Sequence, residues 1–198
     1  SLTVHNYASG KANKIVVNQI LGATGNINLI NDETDIDIVG GAAITANNVL
    51  LQAANNNVNL TGGTITATAI KNSTAVPNGN VSLVGKNVVM AGDTSAVVTA
   101  ANANITAGES ITLTKGSLLA DKAALVATNR AITEAETGFV VDVADLTATA
   151  KGAIALDSTV NQLEKVTVAN TNGAVAIGSG NNQNTNDLTV LTNGNGRV

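Results

Sequence analysis

The sequence predicts an all-β chain that folds as a parallel β-helix, a β-solenoid with three short strands in each coil. Triplets such as Ile27-Asn28-Leu29 and Ile111-Thr112-Leu113 alternate apolar and polar residues, which is typical of a strand with one buried face. These triplets return every 21 to 23 residues on three interleaved tracks, and such a period indicates stacked repeats. Over 198 residues the period predicts roughly nine coils.

Each track is expected to supply one strand per coil. Strands of about five residues are too short to be stable as isolated hairpins. Stacking each strand on its equivalent one coil away would bury the Ile, Val and Leu side chains in a continuous column. The first track is Ile36, Val58, Val81, Ile105, Leu125, Leu146, Val166 and Leu188. The second is Ile44, Ile65, Val88, Ile111, Ile132, Ile154 and Val175. The third is Val4, Ile27, Val49, Ile70, Val97, Leu118, Phe139 and Val160.

Glycine and asparagine mark the turns between strands, because both residues tolerate left-handed backbone angles. Two longer polar segments, 71–80 and 178–187, are predicted as loops that bulge from the rod. The first contains Pro77, the only proline of the chain, and it falls where the third track has its one wide gap.

Residues 118–137 are the one segment where helix and strand compete. The segment is rich in Ala, Leu, Lys and Glu, and these residues favour helices on propensity. However, Leu118, Leu125 and Ile132 each fall on a different track. The periodicity of the whole chain therefore favours strands here.

Composition excludes several classes of protein. The chain has no cysteine, a net charge of −4 and ten scattered Lys and Arg residues, so disulfides, thiolate metal sites and a basic nucleic-acid surface are not expected. No apolar run is long enough for membrane insertion. Only 1% of residues are aromatic, which argues against a carbohydrate-binding surface built on stacking aromatic rings. We expect one domain over 1–198, a segment of a longer chain, since neither end has a clear polar cap.

Two segments carry a resemblance to a known family. Gly79-Asn-Val-Ser-Leu-Val-Gly-Lys-Asn-Val-Val-Met-Ala-Gly92 and Ala103-Asn-Ile-Thr-Ala-Gly-Glu-Ser-Ile-Thr-Leu-Thr-Lys-Gly116 resemble repeats of filamentous-haemagglutinin-like exoproteins, large bacterial adhesins of two-partner secretion. The resemblance lies in repeat style over nearly the whole chain, not in a catalytic signature. It implies a right-handed β-helix that is secreted to the bacterial cell surface for adhesion, aggregation or biofilm cohesion.

The chemistry of a polysaccharide-modifying enzyme requires clustered carboxylates with a basic group on one face. The one acidic cluster is Asp32, Glu33, Asp35 and Asp37. No basic residue is expected one coil away, so we interpret the cluster as a solvated turn.

The remaining ionisable residues do not build a site either. Asp142 and Asp145 are placed to meet Asp121 or Asp157 on neighbouring coils, but their spacing does not match a calcium loop. His5 is the only histidine and makes neither a triad nor a metal site. We therefore predict no catalytic, cofactor-binding or metal-ligating residue, and no cofactor.

An outward file of threonines raises a further alternative. The file follows the first track by one residue, at Thr106, Val126, Thr147, Thr167 and Thr189. Regular threonine rows on a flat face are typical of ice-binding solenoids. The second column, at Thr149, is followed by Ala169, so outward threonine is more simply a favourable strand residue.

The sequence thus predicts a non-enzymatic shaft segment of a secreted adhesin. Its expected partners are a host receptor, a surface glycan or a neighbouring adhesin, with an outer-membrane secretion partner for the full-length protein and end-to-end self-association of the rod. The alternatives are a polysaccharide-modifying enzyme on the same fold and an ice- or glycan-binding module.

Overall fold

The computed structural model describes residues 1–7, 13–71, 74–92, 94–178 and 187–192. These residues form parallel strands that stack as a β-solenoid, and no helix occurs among them. The predicted fold class is therefore confirmed. Residues 118–137 are strands as predicted, since they lie within two strands, Gly116–Ala127 and Ile132–Glu134, and the turns beside them.

Of the twenty-one strands in the described residues, all but one are arranged on three sides of the coil, which we number in the order that the chain visits them. Side 1 begins with β1 (Leu2–Asn6), β4 (Asn26–Asn31), β7 (Asn48–Ala53) and β11 (Asn80–Gly85), and ends with β21 (Asp187–Thr192). Side 2 consists of β2 (Ile15–Val17), β5 (Ile36–Ile38), β8 (Val58–Leu60), β12 (Val88–Met90), β14 (Ile111–Leu113), β16 (Ile132–Glu134), β18 (Ile154–Leu156) and β20 (Val175–Ile177). Side 3 begins with β3 (Ile20–Gly22), β6 (Ala43–Ala46) and β9 (Gly63–Lys71).

Four long strands join side 3 to side 1 in the later coils. They are β13 (Ala96–Ala107), β15 (Gly116–Ala127), β17 (Phe139–Ala150) and β19 (Gln162–Asn170). Each bends at one corner residue that is left out of the ladder, namely Ala101, Asp121, Ala144 or Glu164. Sides 1 and 3 therefore form a single sheet, and side 2 forms a separate eight-stranded sheet. Side 1 has nine rungs, so the described chain makes eight coils and the first strand of a ninth.

The pairing register corrects the three tracks beyond the insertion. Val58 pairs with Val88 on side 2, not with Val81, and Val81 pairs with Val49 on side 1. The insertion lengthens one coil as a whole, so it displaces the strands of all three sides. Each predicted track therefore passes to another side of the rod across the insertion, as the third track does between Val49 on side 1 and Val97 on side 3.

The insertion contains an additional strand. β9 continues beyond side 3, and its end pairs antiparallel with β10 (Thr74–Pro77), from Thr68↔Pro77 to Lys71↔Thr74. Part of the loop predicted at 71–80 is thus a strand of a hairpin. Of the loop predicted at 178–187, residues 179–186 lie outside the described residues.

The inward side chains form one continuous apolar core. On side 2 the row Ile36, Val58, Val88, Ile111, Ile132 and Ile154 has no solvent exposure. Full burial of such a side chain contributes roughly 1.5–3 kcal/mol. The outward residues between them, Asp37, Asn59, Val89 and Thr112, are partly exposed, which gives the buried–intermediate–buried pattern seen in β5, β8, β12 and β14.

Candidate functional site

The acidic cluster lies on the turn between sides 1 and 2 and is paired within the protein. Lys14 directly precedes β2, as Asp35 directly precedes β5 one coil later. The Nζ of Lys14 lies 3.0 Å from Asp37 Oδ2 and 3.8 Å from Asp35 Oδ2. The expectation of no basic partner one coil away is therefore wrong. The hydrogen bond and charge of Asp37 raise the pKa of Lys14.

Amides of the next coil satisfy the other oxygens of these carboxylates. Asn57 donates to Asp35 Oδ1 from its backbone N–H at 2.9 Å and its side chain at 3.1 Å. Asn59 Nδ2 donates to Asp37 Oδ1 at 2.8 Å. Carboxylates that already accept these bonds leave little capacity for a substrate or a cation.

His5 is near the same turn. Its Nε2 lies 3.1 Å from both oxygens of Asp32, and its ring contacts the Tyr7 ring with centroids 3.8 Å apart. Among the described residues, the side-chain hydrogen bonds of His5 go to Asp32 alone, so no serine, threonine or cysteine nucleophile is bonded to the imidazole.

The four aspartates that the sequence suggested as neighbours on successive coils, Asp121, Asp142, Asp145 and Asp157, do not come together as one group. Asp145 lies between Lys122 and Lys165 in the register, and Lys165 Nζ is 3.8 Å from Asp145 Oδ2. Asp121 and Asp142 line a groove of about 180 Å³ that also contains Glu164. Asp157 follows β18 and is the charge neighbour of a different carboxyl, Glu134. Among the described residues, no group of three His, Cys, Asp or Glu is placed to hold a metal ion.

A row of polar residues follows the corner where side 1 begins, and we call it the corner row. Its register members are Asn26, Asn48, Asn80, Asn102, Lys122, Asp145, Lys165 and Asp187. The four asparagines form a ladder of three bonds, in which the Nδ2 of Asn48, Asn80 and Asn102 donates to the Oδ1 of the asparagine in the preceding coil, at 2.8 to 2.9 Å. Charges of alternating sign then continue the row.

We expect Asn80→Ala to lower the free energy of unfolding by about 1 kcal/mol, because it removes two exposed side-chain hydrogen bonds of the ladder. Urea denaturation followed by circular dichroism measures this loss. Asn104→Ala is the matched control, since Asn104 is exposed and its side chain makes no hydrogen bond to the other described residues. A loss of the same size in both variants would contradict a stabilising ladder.

One polar network is buried and was not predicted from the sequence. Asn161 and Ser158 have no solvent exposure. Asn161 Nδ2 donates to Glu134 Oε2 at 2.7 Å, and its Oδ1 accepts from the Val141 backbone N–H at 2.8 Å. Ser158 Oγ donates to the Glu136 carbonyl at 3.1 Å. Burial of the Glu134 carboxyl raises its pKa to about 7, although the hydrogen bond from Asn161 opposes the shift.

The threonine file has a different composition from the predicted one. Thr147, Thr167 and Thr189 do stack, but the coils before them place Asn104 and Ala124 in that row. Thr106 and Val126 belong to the neighbouring row, which continues through Thr149 to Ala169 and Leu191. Neither row is a regular threonine array.

The structure contains no apolar helix of membrane-spanning length within the residues it describes. Compared with protein-family models, with curated proteins and with solved structures, the chain shows no match.

Proposed function

We propose that this chain is a non-enzymatic structural segment of a secreted bacterial adhesin, a shaft that holds binding regions away from the cell surface. Nine rungs on side 1 at about 4.8 Å each give a rod of roughly 40 Å. A rod whose backbone hydrogen bonds run along its axis is suited to transmitting force.

The observation that carries the proposal is a continuous apolar core beneath an outer surface on which, among the described residues, the acidic cluster is paired within the protein. Within the described residues, Lys14 pairs with Asp37 and Arg130 pairs with Glu109. General acid and base chemistry requires groups that are free to reach a substrate. The repeat style of 79–92 and 103–116 supports the adhesin class.

A glycan-binding module is the second candidate, and one surface feature favours it. A polar depression of about 340 Å³ lies over the small side chain of Ala124. Asn102, Asn104, Lys122 and Asp145 line it, and these groups provide the donors and acceptors that sugar hydroxyls use.

We expect antibodies against this chain to label intact, unpermeabilised cells of the source organism, because a surface adhesin must be accessible from outside. The control is an antibody against a cytoplasmic protein, which should label permeabilised cells alone. Labelling of this chain confined to permeabilised cells would refute the surface assignment.

A polysaccharide screen separates the shaft from its alternatives. We expect no turnover of acidic or neutral polysaccharides by the purified chain. Binding that is lost in Ala124→Trp, which fills the depression, would favour the glycan-binding module. Turnover that is abolished in Asp35→Asn or Asp37→Asn would contradict the shaft function and favour a polysaccharide-modifying enzyme.

A further inference from the structure

One inward position of the side 2 core holds a carboxyl group. In the register, Glu134 pairs with Leu113 of the preceding coil. The same row contains Ile38, Leu60 and Met90, which are buried. Glu134 Oε1 is sealed from solvent and has no hydrogen-bond partner, whereas Oε2 accepts from Asn161 Nδ2 at 2.7 Å and from the Ser158 backbone N–H at 3.3 Å.

The parallel pairing of strands with the next coil is shorter than elsewhere both just before and just after Glu134. β16 and β18 pair through two residues, Ile132↔Ile154 and Thr133↔Ala155, and the pairing stops before Glu134. Every other strand pair of side 2 spans three residues. On side 3, β17 pairs with β19 from Asp142 onward, so the start of β17 has no ladder partner in the next coil.

Side-chain bonds replace the missing ladder bonds. Asn161 Oδ1 accepts from the Val141 N–H, at the start of β17, and Ser158 Oγ donates to the Glu136 carbonyl. These bonds connect the turn 135–138 to the turn 157–161 of the next coil. Asn161 holds Glu134 and Val141 together, so the connection depends on how the carboxyl is accommodated.

One neighbouring negative charge disfavours the ionised form of Glu134. Asp157, in the turn of the next coil, carries the same charge and raises the pKa of Glu134, in addition to the larger effect of burial. Glu136 lies in the adjoining turn, and Lys115 lies in the corresponding turn of the preceding coil. Ionisation would leave a negative charge on a sealed oxygen without a donor, which is costly.

We propose that Glu134, Asn161 and Ser158 form a pH-sensitive joint between two coils, closed when the Glu134 carboxyl is protonated and opened at the turns 135–138 and 157–161 when it ionises. The coils before and after the joint keep their ladders. This device is independent of the proposed shaft function, because it requires nothing from the outer surface.

The direction of the pH effect follows from the raised pKa. Below about pH 4.5 the carboxyl is protonated in both the open and the closed joint, and stability is highest. Between about 4.5 and 7 the open form releases its proton while the closed form keeps it, so the closed joint is progressively lost. Above about pH 7 the closed form is ionised as well, and the closed-to-open ratio no longer changes with pH. Because the residue is only half-buried, we expect a change of about ten- to hundredfold in the closed-to-open ratio.

Hydrogen exchange of the full chain at pH 5 and pH 8, corrected for the intrinsic rate, tests the joint. We expect amide protection in 135–141 and 157–163 to fall about ten- to hundredfold at pH 8 in the parent. Glu134→Gln should keep its protection at both pH values, because the amide stays neutral. The control Glu164→Gln, an exposed corner residue, should behave as the parent does. Protection that is independent of pH in the parent, or an equal loss in Glu134→Gln, would overturn the joint.

A second measurement decides the matter if Glu134→Gln does not fold. The carboxyl carbon of Glu134 can be titrated by NMR in the parent chain. An inflection near pH 7 supports the joint, and an inflection near the ordinary pKa of about 4.5 overturns it.

Discussion

Replacing Ile111 by aspartate is expected to lower the free energy of unfolding by about 5 kcal/mol. Ile111 is fully buried in β14 and pairs with Val88 and Ile132, which are fully buried as well. The substitution removes the burial of the isoleucine and places a carboxylate without a donor in the apolar core. Natural domains are stable by about 5–15 kcal/mol, so a large fraction of the variant should be unfolded. Urea denaturation followed by circular dichroism measures the loss.

The control for this prediction is the next residue in the same strand. Thr112 points outward and is partly exposed, so Thr112→Asp should change the free energy of unfolding by less than about 1 kcal/mol. Comparable losses in the two variants would mean that the inward and outward faces of β14 are misassigned.

The second large effect is expected for Gly116→Ala, at the start of β15. Gly116 has a φ of 135°, a conformation that L side chains rarely adopt, and an added Cβ would collide with the carbonyl oxygen of Ala96 in the preceding coil. The backbones of two coils are thus too close for a methyl group. We expect a loss of about 3 kcal/mol, from backbone strain together with displacement of the Ala96 strand. The shift in the thermal midpoint reports this loss.

Gly108→Ala separates the collision from a general effect of losing glycine. Gly108 lies in a turn, and the nearest atom to an added Cβ there is 3.8 Å away, which is ordinary contact. This variant should be neutral or slightly stabilised, since alanine restricts the unfolded chain. If Gly108→Ala is as destabilised as Gly116→Ala, the close approach at Gly116 is not the cause.

The local pattern of the sequence was sufficient to predict the fold but not the register. Apolar–polar–apolar triplets give the inward and outward faces directly, as β14 illustrates. The same periodicity correctly outweighed helix propensity over 118–137, because packing of a shared column dominates local preference. Register requires counting residues across the insertion. The insertion is about as long as the chain segment between successive strands of one coil. Counting one coil period from Val58 on side 2 therefore ends at Val81, which lies on side 1.

The polar contacts differ in how far the sequence could reveal them. Lys14 is separated from Asp37 by 23 residues, the coil period itself, so their pairing was predictable from spacing. Glu134 occupies the third position of the triplet Ile132-Thr133-Glu134, where the other side 2 strands of the middle coils have Leu or Met. That break in the pattern was a usable signal. The position of Asn161 gave no such signal in the sequence, because Asn161 lies in a turn whose length differs from that of the corresponding turn in the preceding coil.

The corner row bears on a problem that repetitive chains meet while they fold. Coils of similar sequence can stack in the wrong order, with one coil skipped, and still bury their apolar residues. The ladder of four asparagines does not oppose this error, since an amide pairs equally well with any other amide of the row. The charged part does oppose it. Skipping one coil would place Lys122 against Lys165 instead of Asp145, and like charges opposite one another on a sheet are destabilising. Correct order in the early coils must therefore come from other residues, whereas the later coils identify their neighbours by charge.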